Sequence, residues 1–274
     1  MNYNEFIQKR AENIARKAAT KAKKIFASIV ARIAGALTSI SINGKVTTQN
    51  ASIFIGQFGE TELAGLLEQE GYIEMQEEVA RDYSQAIVDS QPFYVAQYGE
   101  LVDFAGINQR AIELSLDGDA IEFQRIGQKY ATELRDMLTT MTIAPITVRQ
   151  ATILMSSVSD APVKQIRSQV NTGLAHLHRR LHADTASQIP DALFYYDGPS
   201  DSRNRGFCHH LVGKVLTREQ LSRLNNQSGL SVLTGGGGWN CRHYVLPVSA
   251  VFAKQNALPF AEDSDIRAAN KAAK

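Results

Sequence analysis

Apolar residues recurring at every third and fourth position, sustained over several long stretches, constrain this chain to long helices. Over residues 3–38 the stripe is Ile7, Ala11, Ile14, Ala18, Ala22, Ile25, Ile29, Ile33 and Ala36, rich in the best helix former. Asn43-Gly44 then reads as a turn, and residues 45–58 as a loop or a short strand. A second helix is expected from Thr61, its cap, to about Val88. Its apolar face is Leu63, Leu66, Leu67, Tyr72, Met75, Val79 and Ile87, with a break allowed at Gly71. Pro92 restarts a shorter segment through Tyr98 to Phe104. Asp117-Gly118-Asp119 reads as a turn and cap before a third helix marked by Phe123, Ile126, Tyr130, Leu134, Met137 and Met141. Pro145 stops it. Thr147 to Gln150 resembles a capping box opening a short helix through Met155. Ser159 to Pro162 opens another, with Val163, Ile166, Val170, Leu174, Leu177 and Leu181 as its stripe, ended by Pro190.

Residues 191–250 differ in kind. Leu193–Tyr196, Lys214–Thr217 and Arg242–Val248 read as strands, and Thr217–Leu224 as one or two helical turns. Residues 251–274 are expected to fray. The fold class is therefore α+β, mainly α: long N-terminal helices followed by a small C-terminal α+β module with a short sheet. The expected division is a basic helix over 1–45, a helical domain over 46–190, the module over 191–250 and a flexible tail over 251–274. With 274 residues the chain has room for one large domain or two ordinary ones. No repeat with a period of 20–50 residues is read.

The net charge of +1 hides a local imbalance. The first 45 residues hold nine bases against Glu5 and Glu12, and residues 60–90 are acidic. Among the bases, Arg16, Lys17, Lys21, Lys23 and Lys24 are candidates for tracking phosphates, for docking an acidic partner, or for a solvated face. No aromatics interleave them for stacking on bases. The apolar run at 25–42 is interrupted by Ser28, Arg32, Thr38 and Ser39, whereas a spanning helix needs about 20 predominantly apolar residues. No membrane contact and no leader are expected, and a cytosol-like compartment is. His176, His178, Arg179, Arg180 and His182 read as a solvated basic face.

The only two cysteines each sit beside histidine, in Cys208-His209-His210 and Cys241-Arg242-His243. Cys208, His210, Cys241 and His243 would make a Cys2His2 set for zinc, with His209 able to replace His210. The usual spacing between paired ligands is two to four residues, and here it is one. A buried thiol pair with surface histidines, or a Cys208–Cys241 disulfide outside the cytosol, are the alternatives. Gly235–Gly238 lacks the Lys-Ser/Thr of a phosphate loop and reads as a flexible hairpin tip. The acids near the cysteines are Asp197, Asp201 and Glu219. Asp201 followed by Arg203 and Arg205 reads as an ion-paired structural turn, and no catalytic residue is assigned.

Asp201-Ser-Arg-Asn-Arg205, Cys208-His-His-Leu-Val-Gly213-Lys-Val, Gly237-Gly-Trp-Asn-Cys241-Arg-His243 and Pro247-Val together resemble the C-terminal motif of the phage Mu F-like minor head (head-morphogenesis) proteins. In that family an Asp-x-Arg-x-Arg segment precedes a Cys or His, then Leu-x-Gly, then Cys-Arg-Cys or Cys-Arg-His. Arg167, Asn171, Thr172 and Gly173 resemble the helix that approaches the motif. The match covers about residues 163–248; the first half matches only in helical character, and the last family position is His243 here rather than cysteine. The resemblance implies a structural motif of Asp201, Arg203, Arg205, Gly213, Asn240 and Arg242. It implies a minor virion protein, not an enzyme, made in the bacterial cytoplasm and held inside the phage head. Its partner would be the portal protein, with major capsid or scaffolding protein and DNA as further partners. Its task would be head assembly and genome packaging or delivery. The alternatives are a metal-dependent nuclease and a DNA-binding accessory protein. Asp201, His210 and His243 exposed in one concave pocket would favour the nuclease; their burial as ligands or hydrogen-bond partners would favour a structural role.

Overall fold

The long stripes become long helices in the computed structural model, which describes residues 3–98, 104–143, 145–189, 191–238 and 241–273. Pro190 and Asn240, and the stretch expected to join Tyr98 to Phe104, lie outside or partly outside the described residues. In chain order the elements are α1 (Tyr3–Ile40), β1 (Lys45–Val46), α2 (Thr48–Gln57), α3 (Glu60–Gln69), α4 (Tyr72–Tyr98), α5 (Phe104–Thr140), β2 (Ile146–Thr147), α6 (Val148–Ser157) and α7 (Asp160–Gln188). The C-terminal part adds β3 (Leu193–Asp197), α8 (Gly206–His209), β4 (Val215–Leu216), α9 (Arg218–Ser222), α10 (Val232–Gly235), β5 (Tyr244–Val248), α11 (Ala250–Gln255) and α12 (Asp263–Ala272). The fold is α+β and mainly α.

Two compact units share these elements. Glu12–Asp82 and Leu116–Asn171 form one, called here the helical unit. Met1–Ala11, Tyr83–Ser115 and Thr172–Lys274 form the other, the motif unit. The expected division at residue 45 is therefore not a boundary. The stripe of α1 is a core face: Ile14, Ala18, Ala22, Ile25, Ile29 and Ile33 are all buried in the helical unit, and Ile7 and Ala11 in the motif unit. Each fully buried isoleucine contributes about 1.5–3 kcal/mol, so this face is not free to reach a neighbour.

Four local expectations are corrected. Residues 45–58 hold a two-residue strand and then α2, capped by Thr47, whose hydroxyl accepts from the Asn50 N–H. Thr61 is inside α3, which starts after Gly59 without a side-chain cap. Pro92 lies within α4; buried Ile87 and Tyr94 on either side carry the helix through it despite the backbone bond a proline removes. Asp117-Gly118-Asp119 lies within α5, because the nearly buried Asp119 carboxylate accepts from Gln169 Nε2 at 2.8 Å rather than capping a helix. The break at Gly71, with φ +89°, and the capping box at Thr147 stand as read.

In the motif unit β3 is the centre of an antiparallel sheet of order β4-β3-β5, with Tyr196 opposite Val245 and Tyr195 opposite Val215. Alternation along β3 puts Phe194 and Tyr196 on the main core, with Phe207, Leu211, Leu216 and Val245. Residues beyond 250 do not fray. Ile266 and Ala269 of α12 are buried in the same core. Lys214 pairs with Asp265 and Arg223 with Asp263, both at 2.6 Å. Of the alanines that suggested a frayed end, Ala269 is buried, and Ala272 lies against α8, where a Cβ on Gly206 would touch it.

Candidate metal centre

The only two thiols come together inside the motif unit. α8 carries Cys208, and the segment entering β5 carries Cys241 and His243. All three side chains are buried, and their ligand atoms lie within 4.8 Å of one another. The two Sγ atoms are 3.7 Å apart and unbridged. Cys241 Sγ is 3.6 Å from His243 Nδ1. Tetrahedral zinc, with Zn–S near 2.3 Å and Zn–N near 2.0–2.1 Å, requires S···S edges of about 3.8 Å and S···N edges of about 3.6 Å. The group could hold a metal ion, and the two edges that meet at Cys241 Sγ have the lengths tetrahedral zinc needs.

The surroundings orient these atoms. His243 Nε2 lies 2.9 Å from the Pro199 carbonyl, which can only accept. The ring proton is therefore on Nε2, and Nδ1 presents its lone pair to the sulfurs, the arrangement expected of a ligating histidine. Cys241 Sγ accepts from the backbone N–H groups of Gly237, at 3.0 Å, and His243, at 3.4 Å. Cys208 Sγ accepts from the buried Tyr196 hydroxyl at 3.4 Å. The hydrogen bond from Cys208 and the charge of Arg179 hold the Cys241 thiol well below its ordinary pKa, and the bond to Cys241 together with burial pushes Cys208 up.

The resemblance motif surrounds this group. Asp201 takes Arg242 in a bidentate pair at 2.6 and 2.8 Å and accepts the Arg203 N–H at 3.0 Å. The guanidinium of Arg242 holds the Asp201 carboxyl well below the usual carboxylate range. Arg242 also reaches Asn204 Oδ1, and Asn204 donates to the Pro199 carbonyl that fixes His243. Arg205 donates to the Gly237 carbonyl at 2.6 Å, so it serves the glycine run rather than Asp201. Gly213, at φ +81°, turns the chain into β4.

Three sequence expectations change here. His210 does not join the group of Cys208, Cys241 and His243: it is half-buried and its ring lies edge-on to His209. Gly235–Gly238 is no flexible tip. All four are buried, and a Cβ on Gly237 would overlap Cys208 Sγ. The basic cluster of α7 is a solvated face only at Arg180, which is exposed: His178, Arg179 and His182 are 0%, 2% and 3% exposed. Arg179 donates to the carbonyls of both Cys241 and His243 and stacks over the Tyr244 ring at 5.4 Å. The signal was present in the spacing. His178 follows Leu174 by four residues and His182 follows His178 by four, so both continue the apolar face.

The N-terminal bases are partly answered within the chain. In the helical unit Lys17 pairs with Asp82 at 3.0 Å, Lys21 with Glu78 at 2.6 Å and Arg32 with Glu70 at 2.8 Å. The acidic 60–90 stretch is their partner. Arg16 donates to Asn13, while Lys23 and Lys24 are exposed.

No helix among the described residues is long and apolar enough to cross a membrane. No protein-family model, curated protein or solved structure matches this chain.

Proposed function

We propose that this chain is a non-catalytic minor head protein of a tailed bacteriophage, similar to the Mu F-like proteins, with zinc on Cys208, Cys241 and His243 as a structural staple. The observation that carries this reading is where the motif residues go. Asp201, the acid of the motif, is occupied by two arginines, and His243 is 2% exposed with both ring nitrogens engaged. A hydrolytic site needs a base free to meet substrate. Here each polar group meets another part of the chain.

Zinc bound here would neutralise the two thiolates and cross-link α8 to the strand that closes the sheet. Pro199 sets the histidine tautomer, Arg179 fixes the Cys241–His243 backbone, and Tyr196 and the Gly237 N–H hold the sulfurs. The partner is the portal protein, inside the head, with capsid or scaffolding protein and DNA as secondary contacts.

Removing residues 1–42 is not a usable test of portal binding, because α1 is core to both units. Co-expression of the tagged full chain with the portal protein of the same phage is. Co-purification supports the reading. Metal-dependent cleavage of DNA that vanishes in a well-folded His243→Ala chain would replace it with the nuclease. DNA binding without portal binding would replace it with the accessory protein.

A further inference from the structure

Residues 29–53 and 130–153 correspond along their length, with one extra residue in the first copy between its helix and its strand. From Val46-Thr47 to Ser52-Ile53, and from Ile146-Thr147 to Thr152-Ile153, equivalent residues stand 100 positions apart. Thr47 and Thr147 both cap a following helix of ten residues, accepting from Asn50 and Gln150 at 3.2 Å in each case. Ala51 and Ala151 are both buried, while Ile53 and Ile153 are each 60% exposed. The Ser52 hydroxyl donates to the carbonyl of Thr48, and that of Thr152 to Val148.

In the preceding helices the offset is 101, because the turn from Ile42 to Val46 is one residue longer than that from Ile143 to Ile146. Ile29, Val30, Ile33 and Leu37 are buried, and so are Tyr130, Ala131, Leu134 and Leu138. The hydroxyls that close the two helices repeat as well. Thr38 donates to Ala34, Ser39 to Ala36 and Ser41 to Thr38. Thr139 donates to Arg135, Thr140 to Met137 and Thr142 to Thr139. Buried positions match in any two amphipathic helices. The closing hydroxyls and the exposed isoleucines do not have to.

The strand pairing adds symmetry. β1 and β2 are antiparallel with Val46 directly opposite Ile146. Residues opposed in an antiparallel pair are related by a local two-fold axis, and these two are equivalents in the repeat. We infer that residues 29–53 and 130–153 are two copies of one helix–strand–helix element, paired about this axis, so that the helical unit is an internal dimer. The surface each copy offers the other fits a copy of itself, as in the isologous contact of a two-fold homodimer. The equivalence stops after Ile53: Phe54 is buried and Leu154 exposed.

Two full-length chimeras test this. In one, residues 130–153 are replaced by the sequence of 29–53; in the other, 29–53 are replaced by that of 130–153. At least one is expected to keep helical circular dichroism and a cooperative thermal transition. A control carrying residues 30–54 at 130–153, one position out of register, is expected to lose it. Hydrogen exchange on the unmodified chain gives a second reading: Ala51 and Ala151, and Ile33 and Leu134, should be protected to within about tenfold of each other. Loss of cooperative folding in both in-register chimeras, or protection differing by more than about tenfold at both pairs, overturns the inference.

Discussion

Arg179, from the buried face of α7, donates to the backbone carbonyl of Cys241, one of the two thiols of the candidate metal centre. The same guanidinium holds the His243 carbonyl at 3.2 Å, so one side chain fixes the backbone on both sides of Arg242. Arg179→Leu removes a positioning residue and leaves two buried carbonyls without their donor, a cost of about 1–3 kcal/mol each. Zinc affinity should fall about 10–100-fold, the usual effect of removing a group that orients the ligands. Competition with a chromogenic chelator measures it; unchanged affinity in a folded variant would show that Arg179 only fills space.

Gly237 lies against both sulfurs. A Cβ there would overlap Cys208 Sγ and press on Cys241 Sγ at 3.3 Å. Gly237→Ala should therefore separate the thiols, abolish tight metal binding and lower the melting temperature. Gly44→Ala is the comparison, because its added Cβ meets nothing within 4 Å and only the backbone, at φ +73°, is strained. Metal content of the two purified variants distinguishes local strain from a clash at the sulfurs.

Burial pushes the His178 pKa down to about 3 and that of His182 well below its ordinary value. The unfolded chain, with histidines near 6.5, binds more protons in acid than the folded one. The stability these groups contribute is complete above pH 6.5 and is lost as pH falls toward 3, at up to about 1.4 kcal/mol per pH unit for each histidine. Urea midpoints from pH 7 to 4 should fall steeply, and His178→Leu should flatten the profile whatever its stability at pH 7. Parallel profiles would contradict the assignment.

Among the candidate lysines of α1, the exposed Lys23 and Lys24 are best placed for a DNA contact, because Lys17 and Lys21 have carboxylate partners at 3.0 and 2.6 Å. Lys23→Gln with Lys24→Gln should lower the salt slope of duplex binding by about 0.9 for every phosphate that a lysine had neutralised. An unchanged affinity and slope would show that these two lysines do not touch DNA.

Much of the fold was legible because its signals are local. The stripe of α1, the capping boxes at Thr147 and Thr217 and the strand at Leu193 need only neighbours in sequence. What was missed depends on distant residues. Asp119 stays helical because Gln169 takes its carboxylate, and α12 is ordered because Lys214 and Arg223 meet its acids. The closeness of Cys208 and Cys241 was readable from their being the only thiols, each beside histidine. The choice of His243 over His210 was not, since it depends on the Pro199 carbonyl. The repeat escaped because its offset is far longer than the 20–50 residues at which repeats are sought.

The central claim is that Cys208, Cys241 and His243 hold a structural zinc ion. Native mass spectrometry of the full chain, prepared under reducing conditions without chelator, tests it most directly when paired with a melting curve before and after chelation. The predicted result is one zinc ion per chain, lost in Cys208→Ser, with a lower melting temperature once the ion is stripped. A metal-free chain whose melting is unaffected by chelator or by added zinc would contradict it.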